Sequence, residues 1–171
     1  MSVALNATVG LDTLYLEIKH GTNIHEQGII SITSSSTTWC NKPEQVIDYN
    51  WNSHWQSDNT PNNWLEINFK ELKVKINGYS LKSSGNLVGW HHLKNWVIEG
   101  SKDKIYWKII DKKENDSNLN GPFYQNYFPL SKISDDFQYI RIRSIGKNHA
   151  NYDFLIFTNF EVYGEIITNS K

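Results

Sequence analysis

Residues 92–111, HLKNWVIEGSKDKIYWKIID, predict two β-strands joined by a turn. The turn falls at residues 100–103, where glycine, serine and aspartate are typical of tight turns. Side chains alternate along a strand, so residues two apart share a face. The shared faces carry Trp96 and Ile98 in the first predicted strand and Ile105, Trp107 and Ile109 in the second. We therefore expect a β-hairpin with a tryptophan-lined core face.

The composition indicates a single folded domain that is close to electrically neutral. With 171 residues, of which 39% are hydrophobic and 13% aromatic, the chain is long enough to form one core. Its 17 basic and 18 acidic residues give a net charge of -1, so the charge does not favour nucleic acid or an anionic membrane as the main partner. No apolar run is long enough to span a bilayer.

Cysteine usage favours an intracellular, cytoplasmic protein. Cys40 is the only cysteine, so the chain can form no internal disulfide. The first residues also lack the basic stretch and apolar run of a secretory signal. A secreted protein remains open if the sequence is a fragment of a longer chain.

Alternating apolar residues predict about eight strands and no long amphipathic helix, which is typical of an all-β sandwich or jelly roll. Besides the hairpin, the predicted strands comprise residues 29–32, 64–69, 74–81, 123–130, 138–144 and 154–166. The Asn77-Gly78 step predicts a bulge or turn within one of them. The alternation therefore favours two facing antiparallel sheets.

The strand pattern predicts a domain over residues 28–167. Residues 1–27 are interpreted as a linker or the end of a preceding element, and residues 168–171 as a tail. The first of these segments has only a weak helical pattern. Its apolar positions are Leu11, Leu14, Tyr15 and Ile18.

Two arginines share a face of the strand predicted over residues 138–144. Arg141 and Arg143 have the spacing that could grip a carboxylate or a phosphate. Pairing with a neighbouring carboxylate, such as Glu99 or Asp111, is the other interpretation and the one we favour.

Several short segments follow one another in a characteristic order. They are Trp64-Leu65-Glu66-Ile67-Asn68-Phe69, Tyr79-Ser80-Leu81-Lys82-Ser83, HLKNWVIEGS at residues 92–101, Tyr139-Ile140-Arg141-Ile142-Arg143 and Phe160-Glu161-Val162-Tyr163-Gly164. Their joint order across residues 28–166 resembles the discoidin, or coagulation factor V/VIII C-type, domain family. The resemblance implies a jelly-roll β-sandwich of the galactose-binding-like superfamily. HLKNWVIEGS is similar to intracellular members found beside protein-interaction domains, and the paired terminal cysteines of many secreted members are absent.

The resemblance implies a calcium site that ties an early loop to the last strand. In calcium-binding relatives the loop donates carbonyl and aspartate oxygens, and a glutamate of the last strand completes a cage of about six to eight oxygens. The matching residues are Asp48, Asn50 and Ser53 in the loop and Glu161 in the last strand. The alternative is that Asp48 caps its own turn and Glu161 is a partly exposed strand residue.

The resemblance also implies a ligand site in the loops at one end of the sandwich. Sugar-binding relatives use a flat aromatic face and polar side chains there, and the corresponding loops here carry both. The candidate ligand-binding residues are Tyr49, Trp51, His54, Trp90, His91, His92, Asn148, His149 and Tyr152. Two interpretations of Trp90 remain open. Its side chain is either exposed on the glycine-containing loop, where it can bind a ligand, or packed back onto the sheet as a plug. His91 and His92 are adjacent, so they point to opposite faces and do not suggest a shared metal ion.

The sequence predicts a binding module and not an enzyme, because neither GxSxG nor HExxH occurs. The first expectation is an intracellular discoidin-like part of a larger multidomain protein, which holds a protein partner or a glycan through its end loops. The alternative is a lectin-like carbohydrate-binding module, dependent on calcium, on a secreted or cell-surface protein.

Overall fold

The computed structural model describes residues 24–38, 41–48 and 50–167. Within these ranges the chain forms ten β-strands and one 3-10 helix, Pro43–Ile47, and contains no α-helix. The strands are β1 Ser31–Ser34, β2 Trp55–Gln56, β3 Trp64–Asn68, β4 Lys73–Lys82, β5 Trp96–Ser101, β6 Lys108–Lys113, β7 Gln125–Pro129, β8 Tyr139–Ser144, β9 Ile156–Phe157 and β10 Asn159–Ile167. The weak helical pattern of residues 11–18 lies outside the described residues.

Antiparallel pairing arranges the described strands in three sheets. The largest has the order β1-β3-β8-β5-β6, the second has the order β10-β4-β7, and β2 pairs with β9. Strands distant in sequence are neighbours in both larger sheets, which is typical of a jelly roll. The predicted all-β jelly-roll sandwich is confirmed, with ten strands in place of about eight because β2 and β9 have only two residues each.

The two larger sheets pack face to face around Trp96. This side chain is fully buried, its ring lies edge-on to Phe128 of the opposite sheet, and its Nε1 donates to the Tyr79 hydroxyl at 3.1 Å. The same hydroxyl donates to Asp111 Oδ2 at 2.6 Å. Burial, together with this carboxylate, raises the pKa of Tyr79. The indole N–H of Trp96 and the hydroxyl of Tyr79 are therefore both hydrogen-bonded within the core.

The Asn77-Gly78 step forms a β-bulge, one of the two predicted alternatives. Gly78 pairs with Tyr163 and Ile76 pairs with Gly164, so Asn77 is the extra residue in β4. A Cβ atom on Gly164 would lie 2.0 Å from the carbonyl oxygen of Lys75. The bulge thus brings two backbones so close together that only glycine fits.

The hairpin of residues 92–111 is confirmed, but the core face predicted for its second strand is wrong. β5 is buried throughout, whereas Ile105 is 74% exposed and Ile109 is 53% exposed. Ile109 faces outward because a register shift pairs it with Glu99 of β5, whose side chain is on the outer face. Ile105 lies in a turn, because Asp103 Oδ1 accepts the N–H groups of Ile105 (2.8 Å) and Tyr106 (3.0 Å). These bonds close a wide turn, so β6 begins only at Lys108. We call residues 102–107 the hairpin tip.

Arg141 and Arg143 pair with Glu99, as favoured by the sequence interpretation. Arg141 Nε lies 2.6 Å from Glu99 Oε2, and Arg143 Nη2 lies 2.6 Å from Oε1. Burial alone would raise the pKa of Glu99, but the hydrogen bonds from Arg143 and Arg141 outweigh it and lower the pKa. The Trp107 ring stacks on the Arg141 guanidinium at 3.7 Å. Trp107 thus covers a charged cluster on the outer face of the sheet and is not part of the core.

The single strand predicted over residues 154–166 is divided into β9 and β10. Thr158 lies between them and is fully buried. Its N–H donates to the carbonyl of Lys82 at 2.7 Å, and its hydroxyl donates to the carbonyl of Ser83 at 2.9 Å. These two bonds hold the chain where it passes from the small sheet to the three-stranded sheet.

Candidate functional site

Several loops meet at the end of the sandwich where β5 begins and β8 ends, since Trp96 pairs with Ser144 there. They include residues 50–54, 57–63, 83–95, 114–124 and 145–155, and we call this region the loop end. The hairpin tip follows the other end of β5 and therefore lies at the opposite end of the molecule.

His92 fixes the shape of the loop that carries Trp90. The imidazole is buried, and its Nε2 lies 3.0 Å from the carbonyl oxygens of both Asn86 and Leu87. Because carbonyl oxygens only accept, Nε2 carries the proton and donates to both. The His92 carbonyl accepts the N–H of His149 at 3.1 Å. His92 is therefore a buried residue that shapes the loop, and the structure does not expose it at the surface, where the sequence analysis expected a ligand-binding side chain.

Asn148 has a similar role in the last loop. Its side chain is buried, and Oδ1 accepts the N–H groups of Ala150 and Tyr152, both at 3.0 Å. His149 Nε2 lies 3.0 Å from the carbonyl of Asp116, so it donates a bond that joins two of the loops. Both predicted ligand residues are thus engaged in loop structure, and Asn148 positions Tyr152.

Trp90, His91 and Tyr152, three of the ligand candidates, come together in an aromatic cluster that also includes Phe154. The His91 ring centre lies 5.8 Å from Trp90, 5.1 Å from Tyr152 and 5.2 Å from Phe154. Tyr152 stacks on Phe154 at 5.4 Å. Trp90 is 52% exposed, so it does not fold back onto the sheet as a plug. The cluster presents two exposed aromatic side chains, Trp90 and Tyr152, at the loop end.

Further exposed apolar side chains adjoin the cluster. Leu87 is 68% exposed and Val88 is 62% exposed, and the next residue, Gly89, has a φ of 78°. The Gly89 N–H donates to Asn120 Oδ1 at 2.8 Å, which joins this loop to residues 114–124. Sequence reasoning did not select these positions. The exposed apolar side chains added by the structure are Leu87, Val88, Phe123 and Tyr124.

The remaining ligand candidates are placed differently. Trp51 is partly buried and packs against the core, so it does not contribute to the exposed face. His54 is partly buried, and burial, followed by the nearby His91, lowers its pKa. Tyr49 lies outside the described residues. Lys147 and Asp153 at the rim pair with each other at 2.5 Å, which makes this part of the rim neutral.

The loop residues predicted to hold calcium lie after the 3-10 helix. Asp48 is half-buried, whereas Asn50 and Ser53 are exposed. Ser53 Oγ accepts a hydrogen bond from Asn41 Nδ2 at 3.1 Å. The carbonyl of Asp48 accepts the N–H of Trp51 at 3.2 Å. In both contacts, an oxygen near the predicted calcium site accepts a hydrogen bond from an N–H group of the protein.

The strand residue predicted for the calcium site is engaged as well. Glu161 Oε2 accepts hydrogen bonds from the hydroxyls of Tyr163 (2.5 Å) and Ser80 (3.2 Å). Among the described residues, no group of three or more His, Cys, Asp or Glu side chains is placed to hold a metal ion. The donors around these oxygens do not fit an oxygen cage, and calcium binding stays a prediction without support from this geometry.

The sequence of residues 30–156 matches the family model described as F5/8 type C domain. The chain belongs to the F5/8 type C domain family. This match confirms the resemblance that the ordered segments indicated. In the part of the chain that the structure describes, the F5/8 type C domain includes no helix with the length and apolar character needed to cross a membrane.

Two curated relatives of this F5/8 type C domain are E3 ubiquitin-protein ligases. Ufd4 of Drosophila melanogaster is 27% identical over 156 residues, which cover 85% of this chain but 6% of the ligase. The ligase hecd-1 of Caenorhabditis elegans is 28% identical over 144 residues, which cover 81% of this chain and 5% of the ligase. The chain therefore spans a small part of each relative.

Similar solved structures include family 32 carbohydrate-binding modules (CBM32) from Clostridium perfringens. CBM32-3 from a family 31 glycoside hydrolase has a TM-score of 0.65 and 16% identity, covering 81% of this chain and 92% of the module. The family 32 CBM of NanJ in complex with galactose has a TM-score of 0.62 and 14% identity. The match covers 80% of this chain and 94% of the module. At these identities the likeness shows the fold alone. The neighbours of this fold include binding modules.

The histidines of the loop end lead to a prediction about pH. Burial lowers the pKa of His92 and outweighs the bonds to the Asn86 and Leu87 carbonyls, which raise it, and the pKa of His54 is lowered by burial as well. In acid the unfolded chain then binds protons that the folded chain does not, so the free energy of unfolding should fall as the pH drops below about 6.5.

Thermal melts from about pH 8 to about pH 5 would measure this fall. His92→Gln is the matched variant, because glutamine offers an N–H donor to the same carbonyls but does not titrate. Its melting temperature should change less with pH than that of the wild type. A wild-type melting temperature that stays constant or rises toward acid would contradict the prediction.

Proposed function

We propose that this F5/8 type C domain is a non-catalytic recognition module whose loop end binds an apolar segment of a protein partner. The observation that carries the proposal is the exposure of Leu87, Val88 and Trp90 on a loop that His92 holds in place. Clustered apolar side chains on a soluble surface are costly unless a partner covers them. Tryptophan and tyrosine are the residues that most often dominate binding energy at such surfaces.

Hydrogen bonds between the loops of the loop end support binding with little loss of conformational entropy. Asn120 joins the Trp90 loop to one neighbour, and the His149 N–H joins it to the other. A preformed surface loses little freedom when a ligand docks, so more of the contact energy appears as affinity. The paired rim charges Lys147 and Asp153 favour an uncharged ligand.

A glycan is the second candidate, and the aromatic cluster favours it. Trp90 and Tyr152 offer ring faces on which a sugar can stack, and His54 and His91 lie beside them with polar ring atoms. A solved Clostridium perfringens CBM32 in complex with GalNAc-beta-1,3-galactose has a TM-score of 0.64 with 12% identity, covering 81% of this chain and 97% of the module.

Two screens of the same purified domain separate these candidates. A random peptide display library and a glycan array would be probed with the wild type, with Trp90→Ala and with Tyr106→Ala. Tyr106 is the matched control because it is 80% exposed but lies at the hairpin tip, at the opposite end. Peptides enriched by the wild type and by Tyr106→Ala, but not by Trp90→Ala, would support the protein partner. Saturable glycan binding with the same pattern would support the glycan, and a chelator arm would report whether it needs calcium.

We further propose that the domain is the recognition part of a larger, intracellular multidomain protein. The support is that two relatives contain a similar stretch within ligases of which it forms 6% and 5%. Ligand binding by the isolated domain with the same affinity as in a longer protein would agree with a modular role. A loss of binding on isolation would contradict it.

A further inference from the structure

The side chain of Asn159 joins the first residue of β10 to the loop after the 3-10 helix. Its Nδ2 lies 3.2 Å from the carbonyl oxygen of Val46 and 3.1 Å from that of Asp48. A primary amide carries two N–H donors, so both carbonyls can be satisfied by one nitrogen. Two backbone carbonyls that are distant from β10 in sequence thus converge on one side chain.

The hydrogen bonds around Asp48 show that its carbonyl has no capacity to spare. This oxygen accepts from Trp51 N–H (3.2 Å) as well as from Asn159, and a carbonyl oxygen has two lone pairs. Glu161, two residues beyond Asn159 on the same face of β10, is already bound by Tyr163 and Ser80. The Asp48 carbonyl and Glu161 Oε2, two of the oxygens that a calcium ion would need, therefore already accept hydrogen bonds from N–H and O–H donors.

We propose that the Asn159 amide takes the place of a cation at the predicted calcium site. It ties the early loop to the closing strand without a metal ion, and the loop that leads to His54 and β2 is anchored in this way. This inference concerns the hydrogen bonds from Asn159 to Val46 and Asp48, and it does not depend on which ligand the loop end binds. It corrects the residues on which the calcium expectation rested, because within the described ranges the Asp48 carbonyl and Glu161 Oε2 are engaged by protein donors.

Melting temperatures with calcium chloride and with EDTA test the proposal. The wild type should melt at the same temperature in both. Asn159→Ala should melt about 4–8 °C lower, since two hydrogen bonds are lost from a chain of this size. Asn52→Ala is the matched control, because Asn52 is an exposed asparagine in the same early loop, and it should melt with the wild type. In Asn159→Asp a carboxylate faces the two carbonyls, so this variant should melt lower in EDTA and be partly restored by calcium.

Two wild-type measurements keep the proposal testable if Asn159→Ala does not fold. Calorimetric titration of the wild type with Ca²⁺ should give no binding heat. The Asn159 side-chain amide protons should exchange slowly with solvent in NMR spectra, because both are hydrogen-bonded. A wild-type melting temperature raised several degrees by calcium, one-site calcium binding, or rapid exchange of these protons would each overturn the proposal.

Discussion

Glu99→Gln is expected to lower the free energy of unfolding by about 3 kcal/mol, because it leaves two arginines without their shared carboxylate. Glu99 is buried, and both guanidinium groups lie 2.6 Å from its oxygens. Removing one partner of a buried ion pair is costly since the remaining charges have lost water without keeping a counter-charge. Denaturation with urea would measure the loss.

Glu114→Gln is the matched control for this prediction. Glu114 pairs with Lys112 at 2.9 Å, but both side chains are largely exposed, so the change should cost less than about 1 kcal/mol. Because the pKa of Glu99 is lowered in the fold, its contribution is present above about pH 4.3 and is lost as the pH falls through its folded pKa. The deficit of Glu99→Gln should therefore shrink in acid. Equal losses for the two variants near neutral pH would contradict the argument.

Trp96→Ala is expected to cost about 4 kcal/mol of unfolding free energy. The change removes the ring that packs between the two larger sheets, and it leaves a cavity beside Phe128. It also removes the indole N–H that donates to the Tyr79 hydroxyl at 3.1 Å. The loss should be smaller in Trp96→Phe, which fills part of the volume but lacks the donor.

Trp90→Ala provides the matched comparison, because it is the same substitution at an exposed position. It should change the free energy of unfolding by less than about 0.5 kcal/mol. If Trp90→Ala destabilised the domain as strongly as Trp96→Ala, the assignment of Trp90 to a ligand surface would be wrong. Urea denaturation of both variants in one buffer gives the answer.

The alternation of apolar and polar residues along the strands allowed the sandwich fold to be predicted from the sequence. In β8, Ile140 and Ile142 face the core while Arg141 and Arg143 face outward, as their spacing of two predicts. This alternation is local, so a single sequence is enough to recognise it. Glu99 precedes the two arginines by 42 and 44 residues, and the sequence offered it only beside Asp111 as a candidate partner, on charge.

The second strand of the hairpin shows where local patterns fail. Ile105 and Ile109 have the spacing of strand residues. The Asp103 carboxylate, however, accepts the N–H groups of Ile105 and Tyr106, and these bonds place Ile105 in a turn. A side chain that bonds to the backbone competes with the strand ladder, and spacing alone does not reveal which of the two prevails.

The candidate site could be predicted only in part for a related reason. Trp90, His91 and Tyr152 were found because aromatic residues in loops are unusual, whereas His92 and Asn148 look equally suited to ligands until their bonds to backbone groups are known. Leu87 and Val88 gave no signal, since apolar residues of this kind are normally buried. Burial and side-chain bonding depend on contacts between distant loops.

The affinity of Trp90→Ala for the ligand selected in the screens tests the central claim most directly. We expect a loss of at least about 30-fold relative to the wild type, which is typical of a tryptophan at the centre of an interface, while Tyr106→Ala binds like the wild type. Equal affinities for the wild type and Trp90→Ala, or an equal loss in Tyr106→Ala, would contradict the assignment of recognition to the loop end.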